Sequence, residues 1–300
     1  MARQIELIGA AWGLGGADPG CAEAPVRLAP MLAQRLAACG VSATIGRMLA
    51  PEGRERRRQL AVSRLCGELA GAVADALSRG ALPCVLGGDH SCAGGTWTGA
   101  VRALQACGRR SLGLVWIDAH MDAHTPRTSP SGRLHGMPVA WLLGQDDDPL
   151  YGLATGVLAP QHVCLLGVRS FEPEEKERLE RLGVRVLYMT DVERLGLPAA
   201  LDEALAVATG GTDAYGMSID LDAITPDEAP AVGTPVASGL RGAELASALA
   251  CLASRPGTPL AALELVEYSP RLDPDGRSAR VAVDLLAAAL CGNGGAQQQP

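Results

Sequence analysis

The sequence is poor in histidine and in aromatic side chains, and it lacks several patterns that identify other classes of protein. Only five of its 300 residues are histidine, and 3% are aromatic. No apolar run approaches the roughly 20 residues that a membrane-spanning helix needs. The N-terminus has neither the apolar core nor the cleavage site of a signal peptide. These absences predict a soluble, cytoplasmic protein without a membrane partner.

A net positive charge and paired cysteines are also missing. The formal net charge is −7, whereas nucleic acids and anionic membranes need a basic surface, so the sequence excludes non-specific binding to either. Nine cysteines are an odd number, and none forms the Cys-x2-Cys pairs of zinc or redox sites. We therefore expect reduced, structural cysteines of a cytosolic protein rather than a disulfide framework.

Short apolar runs alternate with segments of helical periodicity, which predicts a mostly parallel sheet with helices on both faces. No linker or repeat divides the chain, so we expect one domain over residues 1–291 and a disordered Gly- and Gln-rich tail at 292–300. The candidate strands are Ile5–Ile8, Val41–Gly46, Pro83–Leu86, Leu112–Ile117, His162–Leu166, Val184–Leu187, Ala214–Ile219 and Leu260–Leu265. The candidate helices are Arg54–Ser78, Glu174–Leu182, Pro198–Thr209, Arg241–Ala253 and Ser278–Leu290.

Polar clusters stand where four of these strands end. Open α/β sheets place ligands at the carboxyl ends of their strands, so one rim of the sheet should collect them. The clusters are Gly87–Ser91, Asp118–Asp122, Asp220–Asp222 and Glu267.

Histidines and carboxylates in these clusters form a candidate metal site. Asp118, His120 and Asp122 alternate with period two, so their side chains point the same way if the segment is extended, and Asp220-x-Asp222 repeats the pattern. A single motif of this length matches by chance, but several buried carboxylates together need a positive counter-charge. Oxygen and imidazole ligands without a thiolate suit two divalent cations of the manganese type. The six predicted ligands are His90, Asp118, His120, Asp122, Asp220 and Asp222.

Two such ions about 3.5–4 Å apart would share a bridging hydroxide, which we expect to be the nucleophile. The Glu267 carboxylate suits a planar guanidinium, because the two can form paired hydrogen bonds. The alternative for Glu267 is a solvent-facing acid after an edge strand.

Six segments resemble the arginase/agmatinase (ureohydrolase) family in order, spacing and residue identity, and they resemble arginases most closely. The similarity runs from about Pro83 to Pro270, and the N-terminal third is less diagnostic. The segments are GGDHS (87–91), DAHMD (118–122), TSPSGRLHGMP (128–138), SIDLDAITP (218–226), GTPV (233–236) and LELVEYSP (263–270).

This resemblance implies a single three-layer α/β/α domain with an eight-stranded sheet, a homotrimer or homohexamer, and two Mn²⁺ per subunit. By the resemblance, His90 and Asp122 hold one ion, His120 and Asp222 hold the other, and Asp118 and Asp220 bridge them. The implied catalytic residues are Asp122, which also steers the hydroxide, His135 as a proton shuttle, and Glu267 as the guanidinium-binding acid.

The resemblance also implies a substrate-binding set that favours L-arginine, hydrolysed to L-ornithine and urea. Ser131 matches a serine that holds the substrate α-carboxylate, and Glu172 and Glu175 match acids that face its α-amino group. Thr234, within GTPV, belongs to the same predicted set. His124 and Arg133 stand where arginases have Asn, so this end of the pocket departs from the family pattern.

Three alternatives stay open on the sequence. The substrate could be a related compound such as N-hydroxyarginine, agmatine, guanidinobutyrate or formiminoglutamate. A two-metal phosphoesterase is disfavoured, because no histidine follows His162 and no basic cluster accompanies the site. A catalytically silent metal-binding scaffold is disfavoured because every expected position is filled.

Overall fold

The computed structural model describes residues 4–51, 58–109, 111–145, 156–255 and 257–292. Its centre is one eight-stranded sheet in the order β2-β1-β3-β8-β7-β4-β5-β6, and every pairing is parallel. The eight predicted strands are confirmed, and the described sheet is wholly rather than mostly parallel. The strands are β1 (Ile5–Ala10), β2 (Ala43–Leu49), β3 (Leu82–Gly87), β4 (Leu112–Ile117), β5 (Val163–Val168), β6 (Arg185–Tyr188), β7 (Ala214–Asp220) and β8 (Leu260–Val266).

Helices connect the strands. All five predicted helices are confirmed, although residues 54–57 of the first lie outside the described chain, and α1, α3, α4 and α6 are additional. The helices in the described residues are α1 (Ala24–Ala38), α2 (Arg58–Ser78), α3 (Ala93–Ala106), α4 (Pro138–Leu142), α5 (Pro173–Leu182), α6 (Met189–Leu195), α7 (Leu197–Thr209), α8 (Gly242–Ala253) and α9 (Arg277–Cys291).

Two apolar layers cover the two faces of the sheet, which gives the expected three-layer α/β/α architecture. On one face α1, α7, α8 and α9 pack their buried leucines and alanines against the strands. On the other face α2, α3, α4 and α5 do the same. Strand residues alternate between the layers, as in β8, where Leu263 and Leu265 face the first and Ala262 and Val266 the second. Each fully buried leucine contributes about 1.5–3 kcal/mol.

Close backbone packing holds the turn after β3 in place. A Cβ at Gly88 would lie 1.9 Å from the Trp12 carbonyl oxygen, so only glycine fits there. The Glu267 backbone N–H donates to the Gly88 carbonyl at 2.8 Å, which ties the end of β8 to the same turn.

Two sequence predictions concern His162 and the C-terminal tail. His162 ends a short 3-10 turn, Pro160–His162, directly before β5, so it is not a strand residue. Residues 293–300 of the predicted tail lie outside the described residues. Among the described helices, none is long and apolar enough to cross a membrane.

Candidate active site and metal centre

The predicted site residues meet at the carboxyl edge of four neighbouring strands. β3, β8, β7 and β4 are consecutive in the sheet, and their ends carry His90, Glu267, Asp220 and Asp118 respectively. The parallel arrangement places all four ends on one rim, as the sequence predicts. Glu267 follows a central strand and is 1% exposed, so the alternative of a solvent-facing acid is wrong.

The first cluster surrounds His90. Its Nδ1 lies 3.0 Å from Asp122 Oδ2, 3.1 Å from Asp220 Oδ2 and 3.3 Å from Asp118 Oδ2. This buried Nδ1 nevertheless has no hydrogen-bond partner of acceptable geometry. The four atoms therefore converge on one another as ligands of a common cation do, and not as a hydrogen-bonded set.

The second cluster surrounds His120 and shares one residue with the first. His120 Nδ1 lies 3.1 Å from Asp222 Oδ2 and 3.5 Å from Asp118 Oδ1. Asp118 thus turns one oxygen toward each cluster, which suits a bridging carboxylate. His90, Asp118 and Asp122, and likewise Asp118, His120 and Asp222, place their donor atoms close enough together to hold an ion.

The electrostatics of the clusters call for a positive charge. Burial and the charge of Asp118 raise the pKa of Asp122 to about 6, and burial with Asp222 and Asp118 raises the pKa of Asp220 well above its usual range. Burial opposes the charged form of His120, but Asp222 and Asp118 outweigh it and raise its pKa to about 12. Bound divalent cations would offset this repulsion among the carboxylates, so the donor set fits a metal centre.

The segment Asp118–Asp122 is not extended, so the condition stated for its alternating side chains is not met, although the side chains do converge. The Asp118 carboxylate accepts a 2.7 Å hydrogen bond from the His120 backbone N–H, which curls the chain back. Asp122 adopts the left-handed region with φ 48°, where non-glycine residues are strained. The turn, rather than strand alternation, directs Asp122 toward His90.

Glu267 and His135 form a pair beside the first cluster. Glu267 Oε1 accepts hydrogen bonds at 2.9 Å from the His90 backbone N–H and from His135 Nδ1. Its Oε2 is buried without a hydrogen-bond partner among the described residues, and its backbone is left-handed at φ 65°. Burial opposes the imidazolium of His135, but Glu267 outweighs it and raises the His135 pKa to about 9.

His124 lies in a second group of acids next to the site. Its Nδ1 lies 3.1 Å from Thr128 Oγ1, and its Nε2 lies 3.0 Å from Glu172 Oε2. Glu175 is buried and accepts backbone N–H bonds from Ala123 at 2.9 Å and Glu172 at 3.1 Å. Its carboxylate therefore connects the loop after β4 to the start of α5 and does not face open solvent.

The remaining predicted substrate residues are spread more widely. Ser131 and Arg133 are exposed, and Ser131 Oγ accepts a 3.2 Å bond from the Arg133 backbone N–H. Thr234 makes a contact that its predicted role does not include, because its hydroxyl donates to Asp222 Oδ2 at 3.0 Å. Thr234 therefore lies on the metal-ligand side of the site.

Sequence reasoning missed several residues behind the clusters. The Trp116 indole stacks on the His90 ring, with 4.0 Å between the ring centroids and 8° between the ring planes. Its Nε1–H donates to Asp118 Oδ2 at 2.9 Å. Arg169 donates to the Asp222 carbonyl at 2.7 Å. Trp116 lies inside an apolar strand, where spacing gives no signal of a polar role.

A wholly parallel α/β/α sheet with a buried Asp/His cluster at its strand ends defines an α/β protein with a metal-binding centre. The model of the arginase family matches residues 3–292, so the chain belongs to the arginase family. That membership confirms the resemblance and places the chain among the ureohydrolases, a metal-dependent class of hydrolases.

Individual relatives agree with this placement. The chain is 40% identical to an arginase of Bacillus caldovelox over 79% of its length and 78% of the relative. It is 38% identical to an arginase of Brevibacillus brevis over 74% and 72%. The solved structure of the Bacillus caldovelox arginase superposes with a TM-score of 0.87 and 34% identity, covering 97% of this chain and 98% of that one.

Proposed function

We propose that the protein is an arginase-type hydrolase that converts L-arginine and water to L-ornithine and urea. The observation that carries the proposal is the buried Oε2 of Glu267, which has no partner in the described structure and lies beside the first cluster. A buried acceptor without a partner costs about 1–3 kcal/mol, and a guanidinium N–H offsets that cost. The names of the relatives, arginases, support this substrate.

We further propose two Mn²⁺ ions as the resident metals. His90 and Asp122 would hold one, His120 and Asp222 would hold the other, and Asp118 and Asp220 would contribute to both. Asp220 Oδ2 lies 3.1 Å from His90 Nδ1, and Asp220 Oδ1 accepts a hydrogen bond from the Asp222 backbone N–H at 2.8 Å. When bound, the ions supply a water of lowered pKa for attack on the guanidinium carbon.

Glu267 and His135 act on the substrate and on its leaving group. The planar guanidinium donates to the free Oε2 of Glu267, which fixes the carbon in front of the clusters. His135 is bonded to the same carboxylate through Nδ1, and its side chain is 15% exposed. It can therefore exchange protons with solvent and deliver one to the departing amine.

The amino-acid end of the substrate meets the loop after β4 and the start of α5. Glu172 is the accessible acid there, with a side chain 51% exposed, and its carboxylate accepts a hydrogen bond from the substrate α-amino group. Ser131 and Arg133 offer donors to the α-carboxylate. His124 contacts Glu172 and so orients the acid, while buried Glu175 holds the loop in place.

A release screen of the Mn-loaded protein tests the proposal. L-Arginine, N-hydroxyarginine, agmatine and guanidinobutyrate are compared by urea release, and formiminoglutamate by formamide release. The proposal predicts the highest kcat/KM for L-arginine. A higher value for another compound would replace the substrate, and two bound ions without any turnover would support a silent scaffold.

The assembly and location follow the family pattern in this proposal. We infer a homotrimer or homohexamer. We also infer a cytoplasmic location, because the small-molecule chemistry needs no membrane or nucleic-acid partner. Light scattering of the purified protein gives the subunit number, and a monomer at micromolar concentration would contradict it.

A further inference from the structure

A buried acid lies behind the metal clusters and takes no part in the proposed chemistry. Glu264 lies in the middle of β8, within an otherwise apolar strand, and is 0% exposed. Its side chain faces α3 and the neighbouring β7. Burying a carboxylate costs several kcal/mol unless hydrogen bonds compensate, so this residue needs an explanation.

Three donors surround the Glu264 carboxylate. The Ser218 hydroxyl donates to Oε1 at 2.8 Å. The Thr96 hydroxyl and, at 3.6 Å, the Cys92 thiol donate to Oε2. Because all three neighbours carry a proton to give, the carboxylate is placed as an acceptor on both oxygens.

Ser218 connects this acid to His90. Ser218 Oγ lies 2.9 Å from His90 Nε2, and its own proton is directed to Glu264. The serine oxygen therefore accepts from His90 Nε2–H. With the ring proton on Nε2, Nδ1 carries the lone pair, and Nδ1 is the atom that faces Asp118, Asp122 and Asp220.

We propose that Glu264 is a positioning residue that acts through Ser218 to hold His90 in the tautomer and orientation that bind the first metal ion. The acid touches neither substrate nor metal. Partners behind a metal-bound histidine commonly account for about 10–100-fold in metal affinity. The second cluster, built on His120 and Asp222, has no contact with this chain of hydrogen bonds in the described residues. The effect therefore belongs to one ion of the pair.

A purely structural role for Glu264 is the competing explanation, since Thr96 also connects it to α3 and Cys92 connects it to the turn before α3. Two variants separate the roles. Ser218→Ala breaks the connection to His90 and keeps the bond from Thr96, whereas Thr96→Val breaks the bond from α3 and keeps the connection. Glu264→Gln preserves the shape and removes the negative charge.

The experiment measures Mn²⁺ bound per chain in a series of chelator-buffered Mn²⁺ concentrations, with melting temperature of the metal-free protein as the fold control. We expect Ser218→Ala and Glu264→Gln to weaken one of two ions by about 10–100-fold and to leave the other unchanged. Thr96→Val should lower the melting temperature and keep both affinities.

Several outcomes overturn the inference. Wild-type affinities in Ser218→Ala, equal loss of both ions, or an equal effect of Thr96→Val would each make the role of Glu264 structural. The inference rests on the proposed metal centre, but its test does not depend on turnover. A wild-type chain that binds two ions and releases no urea would remove the proposed substrate alone, and one that binds none would remove both proposals.

Discussion

The two sides of the site are built differently. The metal side comes from the carboxyl ends of β3, β7 and β4, and comprises His90, Asp118, His120, Asp122, Asp220 and Asp222. All but His120 are buried. Trp116 also contacts His90 and Asp118, and Thr234 donates a hydrogen bond to Asp222. The proposed substrate side comprises residues 124–135 and Glu172, where Ser131, Arg133 and Glu172 are exposed. In the proposed function the sheet therefore positions the reacting groups, and the surface loop determines the substrate.

The largest expected effect concerns the metal side. Asp122→Asn should reduce urea release by about 10³-fold, because it removes a charged ligand beside His90. Asparagine tolerates the left-handed backbone at this position, so the fold should survive. Steady-state kinetics and a thermal melt on the same sample check this prediction. Near-normal kcat would mean that Asp122 has no role in the chemistry.

The boundary between the two sides is tested by His135. His135→Ala should lower kcat by about 10²-fold, because the leaving amine loses its proton donor. Added imidazole should restore part of the rate, since it can enter the space left by the missing ring and carry protons. The melting temperature is the control for folding. Unchanged rates, or loss without rescue, would dismiss the proton-transfer role.

The substrate side should respond selectively. Glu172→Ala should lower kcat/KM for L-arginine about tenfold more than for guanidinobutyrate, which lacks the α-amino group. Glu174→Ala, an exposed neighbour, is the matched control and should change neither value. Equal losses for both substrates would show that the proposed orientation of the substrate is wrong.

The last prediction concerns stability rather than turnover, as a pH dependence at Glu175. Burial raises the pKa of Glu175 from 4.5 to about 8, so the folded state binds this proton more tightly than the unfolded state does. Stability should therefore fall as pH rises between these values, by at most about 1.4 kcal/mol per pH unit. Urea unfolding from pH 5 to 8 should show a flatter profile in Glu175→Gln. The exposed Glu174→Gln variant should keep the wild-type slope.

The sequence predicts the strands well because each is a short apolar run ending in polar residues. It does not predict α3, whose Gly94, Gly95 and Gly99 look unlike a helix. The structure supplies the reason: a Cβ at Gly95 would lie 2.7 Å from the Cys66 carbonyl oxygen, and one at Gly99 would lie 2.5 Å from that of Ala70. Close contact with α2 selects glycine there against its helix propensity.

The candidate site is predictable in its members and less so in its geometry. Motif residues at strand ends indicate the clusters, because parallel strands end on one rim. The left-handed turn at Asp122 and the contact of Thr234 with Asp222 depend on tertiary packing, which spacing does not encode. Glu264 did leave a signal, namely an acid inside the apolar run of β8.

Strand β8 occupies the middle of the sheet although it is the last strand along the chain. Until it pairs, β2-β1-β3 and β7-β4-β5-β6 are separate ribbons, one carrying His90 and the other Asp118 and Asp220. During synthesis on the ribosome, neither ribbon alone can assemble the first cluster. The first cluster can therefore form only after β8 has been translated and inserted, whereas the second cluster, Asp118, His120 and Asp222, lies entirely in the β7-β4-β5-β6 ribbon.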